Sequence, residues 1–179
     1  MNNKVISFEN AKNIIQKNST FRKILSDKRK LYILIGIPGS GKTYYAEHFL
    51  MDVNTIIVST DEIRKETFGT YSFSISTNNL IINTAKQRIE KGLAENQNII
   101  FDATNINKRN RNSIIKIGKK YNATVIAIVF KTSLSLCIYR NRQRTLERRV
   151  PEDKLILMAD FNSNIDKSEE GFDSVVYLE

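Results

Sequence analysis

Four apolar stretches with no polar alternation punctuate the chain: 31–35 (Leu-Tyr-Ile-Leu-Ile), 55–58, 98–101 and 123–130. Runs of this kind suit strands buried on both faces, as in a parallel sheet covered by helices. Between them the period changes to that of a helix. Residues 43–50 and 61–67 read as helices, and a longer one over about 77–95 sets Ile81, Ala85, Ile89 and Leu93 four residues apart. Residues 108–121 and about 133–144 follow, then a helix opening at Pro151, whose fixed φ suits a first turn. A short strand at 174–178 closes the pattern. Strand alternating with helix predicts an α/β fold, a doubly wound parallel sheet flanked by helices. Ahead of the first strand, Phe8, Ala11 and Ile15 predict one amphipathic helix, and Phe21, Ile24 and Leu25 a second. Residues 1–30 are therefore expected as an N-terminal helical extension on a single domain of residues 31–179.

The first strand runs directly into Gly36-Ile37-Pro38-Gly39-Ser40-Gly41-Lys42-Thr43, and a helix follows. Strand, glycine loop and helix in this order form a phosphate cradle. Glycines let successive N–H groups turn inward, and the helix adds its positive end. Lys42 is expected to reach the β- and γ-phosphates of ATP, and the Thr43 hydroxyl to bind Mg²⁺.

In an open α/β sheet, ligands gather beyond the carboxyl ends of the strands. That rule selects Ser59-Thr60-Asp61-Glu62-Ile63-Arg64 after the second strand, Asp102-Ala103-Thr104-Asn105 after the third, and the arginine-rich helix after the fourth. Ser59 and Glu62 have capping-box spacing, which leaves Asp61 and Arg64 unexplained by helix initiation. A carboxylate opposite the γ-phosphate can take a proton from an attacking hydroxyl, and an arginine one turn on can hold an acceptor phosphate. Complementing the helix dipole would account for Asp61 equally well. Asp102 ends a buried strand, where an acid can support Mg²⁺. Asn105 either orients the acceptor or caps the next helix. In Arg140-Asn141-Arg142-Gln143-Arg144, Arg140 and Arg144 are expected to share a helical face that Arg148 continues, on a lid of about 140–150 able to close over a transferring phosphoryl group.

Composition narrows the choice further. With 41% hydrophobic and 26% charged residues in 179, the chain is of ordinary globular make-up, and no apolar run approaches the roughly 20 residues of a membrane span. The amino terminus has no secretory pattern, so a cytoplasmic location is expected. One cysteine, Cys137, and one histidine, His48, exclude an internal disulfide and a Cys/His metal centre. The net charge of +9 is uneven: residues 105–120 hold six basic side chains and no acid, while residues 152–179 hold eight acids and two lysines. A local basic run of this sort favours a polyanionic partner, nucleic acid first.

Taken together, the four motifs resemble the kinase domain of the polynucleotide 5′-hydroxyl kinases, especially the bacteriophage type within the P-loop NTPase fold. The resemblance covers about 31–165. It implies that Asp61 is the general base for a terminal hydroxyl, Arg64 the holder of the acceptor's terminal phosphate, Arg144 the catalytic lid arginine and Arg140 its neighbour. Asp102 and Asn105 match the third-strand motif. ATP, Mg²⁺, a DNA or RNA 5′-OH end and a role in end repair follow by implication. The chain has no D-x-D-x-T/V phosphatase motif, so a kinase alone, or the kinase segment of something longer, is expected. Kinases of small metabolites share the loop and a D-x-x-R-like segment, which keeps a sugar, nucleoside or antibiotic acceptor open. A non-catalytic nucleotide switch is the third reading.

Overall fold

A computed structural model describes residues 28–72, 74–161 and 163–179. The two helices expected within residues 8–25 lie outside the described residues. Five strands, β1 (Lys30–Ile35), β2 (Thr55–Ser59), β3 (Asn98–Asp102), β4 (Thr124–Phe130) and β5 (Ser174–Leu178), form one sheet in the order β2-β3-β1-β4-β5. Every pairing is parallel. All five carboxyl ends therefore meet one edge.

Alternation within each strand divides the core between the two sheet faces. Leu31, Ile33 and Ile35 join Ile99, Phe101, Val125, Ala127 and Val129 on one face. The helices α3 (Ile75–Ala94) and α4 (Lys108–Lys120) cover it through Ile81, Ala85, Ile89, Leu93, Ile114 and Ile117. On the other face Leu34, Ile100, Ile126, Ile128 and Phe130 pack with Tyr45 and Ala46. Burial of both faces is why the strands carry no polar alternation.

After the glycine loop the helix departs from simple expectation. An α-helical start, α1 (Lys42–Tyr45), opens into a π turn over Ala46–Leu50. The wider turn sets the rings of Tyr45 and Phe49 in a stack 5.2 Å apart, with Phe130 edge-on to Tyr45 at 5.7 Å. Helix α2 (Thr60–Phe68) follows β2, and its Glu62 N–H donates to Ser59 Oγ at 3.4 Å. Only half of the capping box is made, because the Glu62 carboxylate turns outward to Arg148 and Tyr71.

Helix α5 (Leu134–Arg142) stops two residues short of the expected end. Arg144 therefore lies beyond it, and Arg148 sits on a 3₁₀ turn, Leu146–Arg148. These arginines share no continuous helical face. Asn141, buried at the base of this segment, donates to the Val150 carbonyl at 2.7 Å and accepts from the Val150 N–H at 3.1 Å. That clip folds 142–149 into a closed loop ahead of α6 (Glu152–Ala159). A single-turn helix, α7 (Lys167–Glu170), leads into β5.

Candidate active site

The glycine loop is built from its main chain. Gly39 and Gly41 take φ of +86° and +98°, a region that side-chain-bearing residues rarely adopt. A Cβ on Gly39 would also press into the Cys137 carbonyl of α5, so the loop and α5 touch backbone to backbone. Thr132 Oγ1 donates to the Ser40 carbonyl at 3.0 Å, and Arg140 reaches the Gly39 carbonyl at 3.4 Å. Pro38 lies in the turn just ahead of these anchors. Lys42 is 8% exposed. Its ammonium donates to the Ile37 carbonyl at 2.9 Å and to Ser40 Oγ at 3.3 Å, so it lies across the cavity of its own loop. Burial pushes its pKa from 10.5 down to about 8, against the attraction of Asp102 and Asp61. An ammonium held in this way gains by meeting an anion.

Asp102 closes β3, and its Oδ2 accepts from Thr43 Oγ1 at 2.7 Å. Burial raises its pKa, while Lys42 and the Thr43 hydroxyl draw it back down. A hydroxyl and a carboxylate in contact beside a phosphate cradle are hard oxygen donors of the kind Mg²⁺ takes when substrate phosphates complete its shell. No group of three or more His, Cys, Asp or Glu side chains placed to hold a metal occurs among the described residues.

Asn105 is placed differently from an acceptor ligand. It is buried at φ +50°, and its amide donates to the Leu34 carbonyl at 2.7 Å, with longer contacts to Phe101 and Ala103 carbonyls. Nor does it cap α4. That role belongs to Asn107, whose Oδ1 accepts from the Asn110 N–H at 3.2 Å. Asn105 pins the loop after β3 to the end of β1, and the Thr104 carbonyl accepts from the Gly36 N–H at 2.9 Å beside it.

Asp61 and Arg64 form an ion pair of 2.8 Å on the first turn of α2, with the arginine side chain 7% exposed and the carboxylate 62%. Asp61 and Arg144 both act electrostatically on Lys42 and on Asp102. Lys42 and Asp102, at the carboxyl edge of the sheet, thus lie within electrostatic reach of both Asp61 and Arg144. Arg142 and Arg148 do not join them. Arg142 is paired with Glu152 at 2.7 Å; Arg148 is paired with Glu62, donates to the Tyr71 hydroxyl at 2.6 Å and stacks on that ring at 4.1 Å. With Lys65 to Glu147 at 2.9 Å, these contacts clasp the 3₁₀ turn to α2. The clasp was not readable in advance, because residues 62, 65, 71, 147 and 148 meet only through the fold.

The basic run of α4 also changes meaning. Lys108 pairs with Glu169, Arg111 with Glu170, Lys119 with Asp173 at 2.7 Å and Lys120 with Glu90 at 3.1 Å. Three of those four acids come from the acid-rich C-terminal stretch, so half of the basic cluster is paired with acids of that stretch.

A family model described as "AAA domain" matches residues 31–161. Among solved structures, a chain of "Structure of the Pnkp1/Rnl/Hen1 RNA repair complex" is matched over 82% of this chain and 47% of that one, at 25% identity and a TM-score of 0.67. A chain of "Structure of Pnkp1/Rnl/Hen1 complex" is 29% identical over 63% of this chain and 39% of that one, with a TM-score of 0.57. The present chain therefore spans less than half the length of these two. A gluconokinase from Sinorhizobium meliloti 1021 is 15% identical over 83% of this chain and 81% of that one, with a TM-score of 0.55, a likeness of fold alone.

Proposed function

The chain belongs to the AAA-domain family, here with a P-loop kinase-like fold, and from that premise we propose that it is an ATP-dependent polynucleotide 5′-hydroxyl kinase acting in nucleic-acid end repair. One observation carries the reading. An exposed carboxylate, Asp61, is tied to a buried arginine, Arg64, and lies close enough to act, together with Arg144, on the charges of Lys42 and Asp102. In the proposed reaction Asp61 accepts the proton of the terminal 5′-hydroxyl as its oxygen attacks the γ-phosphorus. The bond to the bridging β–γ oxygen breaks, and ADP leaves. Arg64 holds the acceptor's terminal phosphate. Lys42 and Arg144 meet the charge that spreads over the transferring group, in a geometry set before the reaction begins. Thr43 and Asp102 would hold Mg²⁺, whose contribution when bound is to neutralise the β- and γ-oxygens. Similarity to chains of an RNA repair complex supports the nucleic-acid acceptor.

The direct test is labelled ATP with 5′-hydroxyl oligonucleotides, DNA and RNA, single-stranded and nicked. Transfer to at least one class is expected, and none across the panel would refute the acceptor assignment. A small-molecule acceptor is favoured by one specific observation, the pairing of Lys108, Arg111, Lys119 and Lys120 of the α4 basic run with carboxylates. The two readings separate on salt: polynucleotide binding weakens steeply as salt rises, whereas binding of a small acceptor barely responds.

A further inference from the structure

The carboxylate of Glu170 takes both ends of the Arg111 guanidinium, Nε to Oε2 and Nη2 to Oε1, each at 2.7 Å. The two residues are 3% and 8% exposed, in a chain whose other ion pairs mostly lie at the surface. The remaining arginine nitrogen, Nη1, donates to the Asn105 carbonyl at 2.9 Å and to the Ile106 carbonyl at 3.0 Å. Those carbonyls belong to the loop that carries Asp102 at its start. From the same loop Asn105 grips the Leu34 carbonyl, and the Thr104 carbonyl grips the Gly36 N–H. A continuous series of hydrogen bonds thus runs from α7 through α4 and the β3–α4 loop to the first residue of the phosphate cradle.

A buried ion pair is a poor device for stability alone, since apolar residues of like volume often do as well. A planar fork with fixed donor directions is well suited to setting the position of a loop. We propose that Arg111 and Glu170 are positioning residues for the nucleotide site: they hold the 102–107 loop so that Asp102 stays against Thr43 and Gly36 stays at the mouth of the cradle. The inference rests on the reading of 36–43 and Asp102 as the ATP and Mg²⁺ site, but not on the identity of the acceptor.

The test compares Glu170→Gln with the parent and with a destabilising control on β5, Val176→Ala, the thermal midpoint of each being measured alongside. Hydrogen exchange is followed in peptides covering 34–41 and 102–107, in protein without ligand. Affinity for a fluorescent ATP analogue is measured with and without Mg²⁺. Glu170→Gln should speed exchange in both peptides and weaken Mg²⁺-dependent nucleotide binding about tenfold, the scale seen when the partners of metal-site groups are removed. The control should do neither. If Glu170→Gln cannot be purified folded, the double variant R111M/E170L removes charge and fork together. It should fold, yet show the same loosened peptides and weakened binding. Exchange and affinity like those of the control, in whichever variant is measured, overturn the proposal. Nucleotide binding precedes any choice of acceptor, so a chain that binds ATP yet phosphorylates no oligonucleotide leaves this test intact.

Discussion

Lys42 is where a single residue sets function against stability. Its folded pKa of about 8 lies below the 10.5 of the unfolded chain. The unfolded chain therefore binds the proton more tightly between those values, so this lysine costs stability below pH 8, and the cost fades as pH rises through the window. Lys42→Met should raise the melting temperature of the free protein at pH 7 by roughly 2–4 °C, equivalent to about 1 kcal/mol, while abolishing ATP binding. Calorimetric titration near pH 8.5 in buffers of different ionisation enthalpy checks the same physics: ATP should bind with proton uptake, because phosphate raises the pKa again. Asp61→Asn should cut transfer by about 10²–10⁴-fold, the usual contribution of a general base, and leave ATP affinity nearly unchanged. An unaltered rate would remove Asp61 from that role. Residue types and strand ends sufficed to place Lys42, Thr43, Asp61 and Asp102 at the carboxyl edge of the sheet, where they are found. The role of Asn105 was not legible in this way, because its +50° φ and its bond to Leu34 come from a strand 71 positions away in sequence.

At the scale of elements, the contact between the glycine loop and α5 governs the site. Gly39→Ala would incur about 1–3 kcal/mol of backbone strain and push its methyl into the Cys137 carbonyl. Weaker ATP binding together with a lower unfolding midpoint is expected, in contrast to Lys42→Met, where the two move oppositely. The clasp between α2 and the 3₁₀ turn is exposed. Such a pair contributes roughly 0.2–1 kcal/mol, so Lys65→Met should speed nucleotide release, followed by stopped flow, by less than about fivefold, with added salt shrinking the difference. Strand runs and helical periods were read to within two residues at most ends, because burial on both faces of the sheet leaves an unambiguous apolar record. The course of the 142–149 loop escaped because it follows from one side chain, Asn141, bonding to both groups of Val150. No periodicity announces such a clip.

For the whole molecule, net charge proved a weaker guide than charge pairing. The +9 suggested a polyanion-binding face on α4, yet that helix spends most of its basic side chains on Glu90, Glu169, Glu170 and Asp173. Replacing Lys119 and Lys120 together by Gln should leave the salt dependence of oligonucleotide binding unchanged. Had each met a phosphate of a single strand, the logarithmic slope would fall by about 0.7 per residue. Composition could not reveal this, since opposite charges far apart in sequence count as two features until the fold makes them one.

Arg111 and Glu170 stand 59 positions apart in sequence. A ribosome adding about 5–20 residues per second therefore delivers Arg111 several seconds before the carboxylate that fixes it. For that interval a nascent chain already holds the glycine loop and Asp102 and still lacks the alignment to use them.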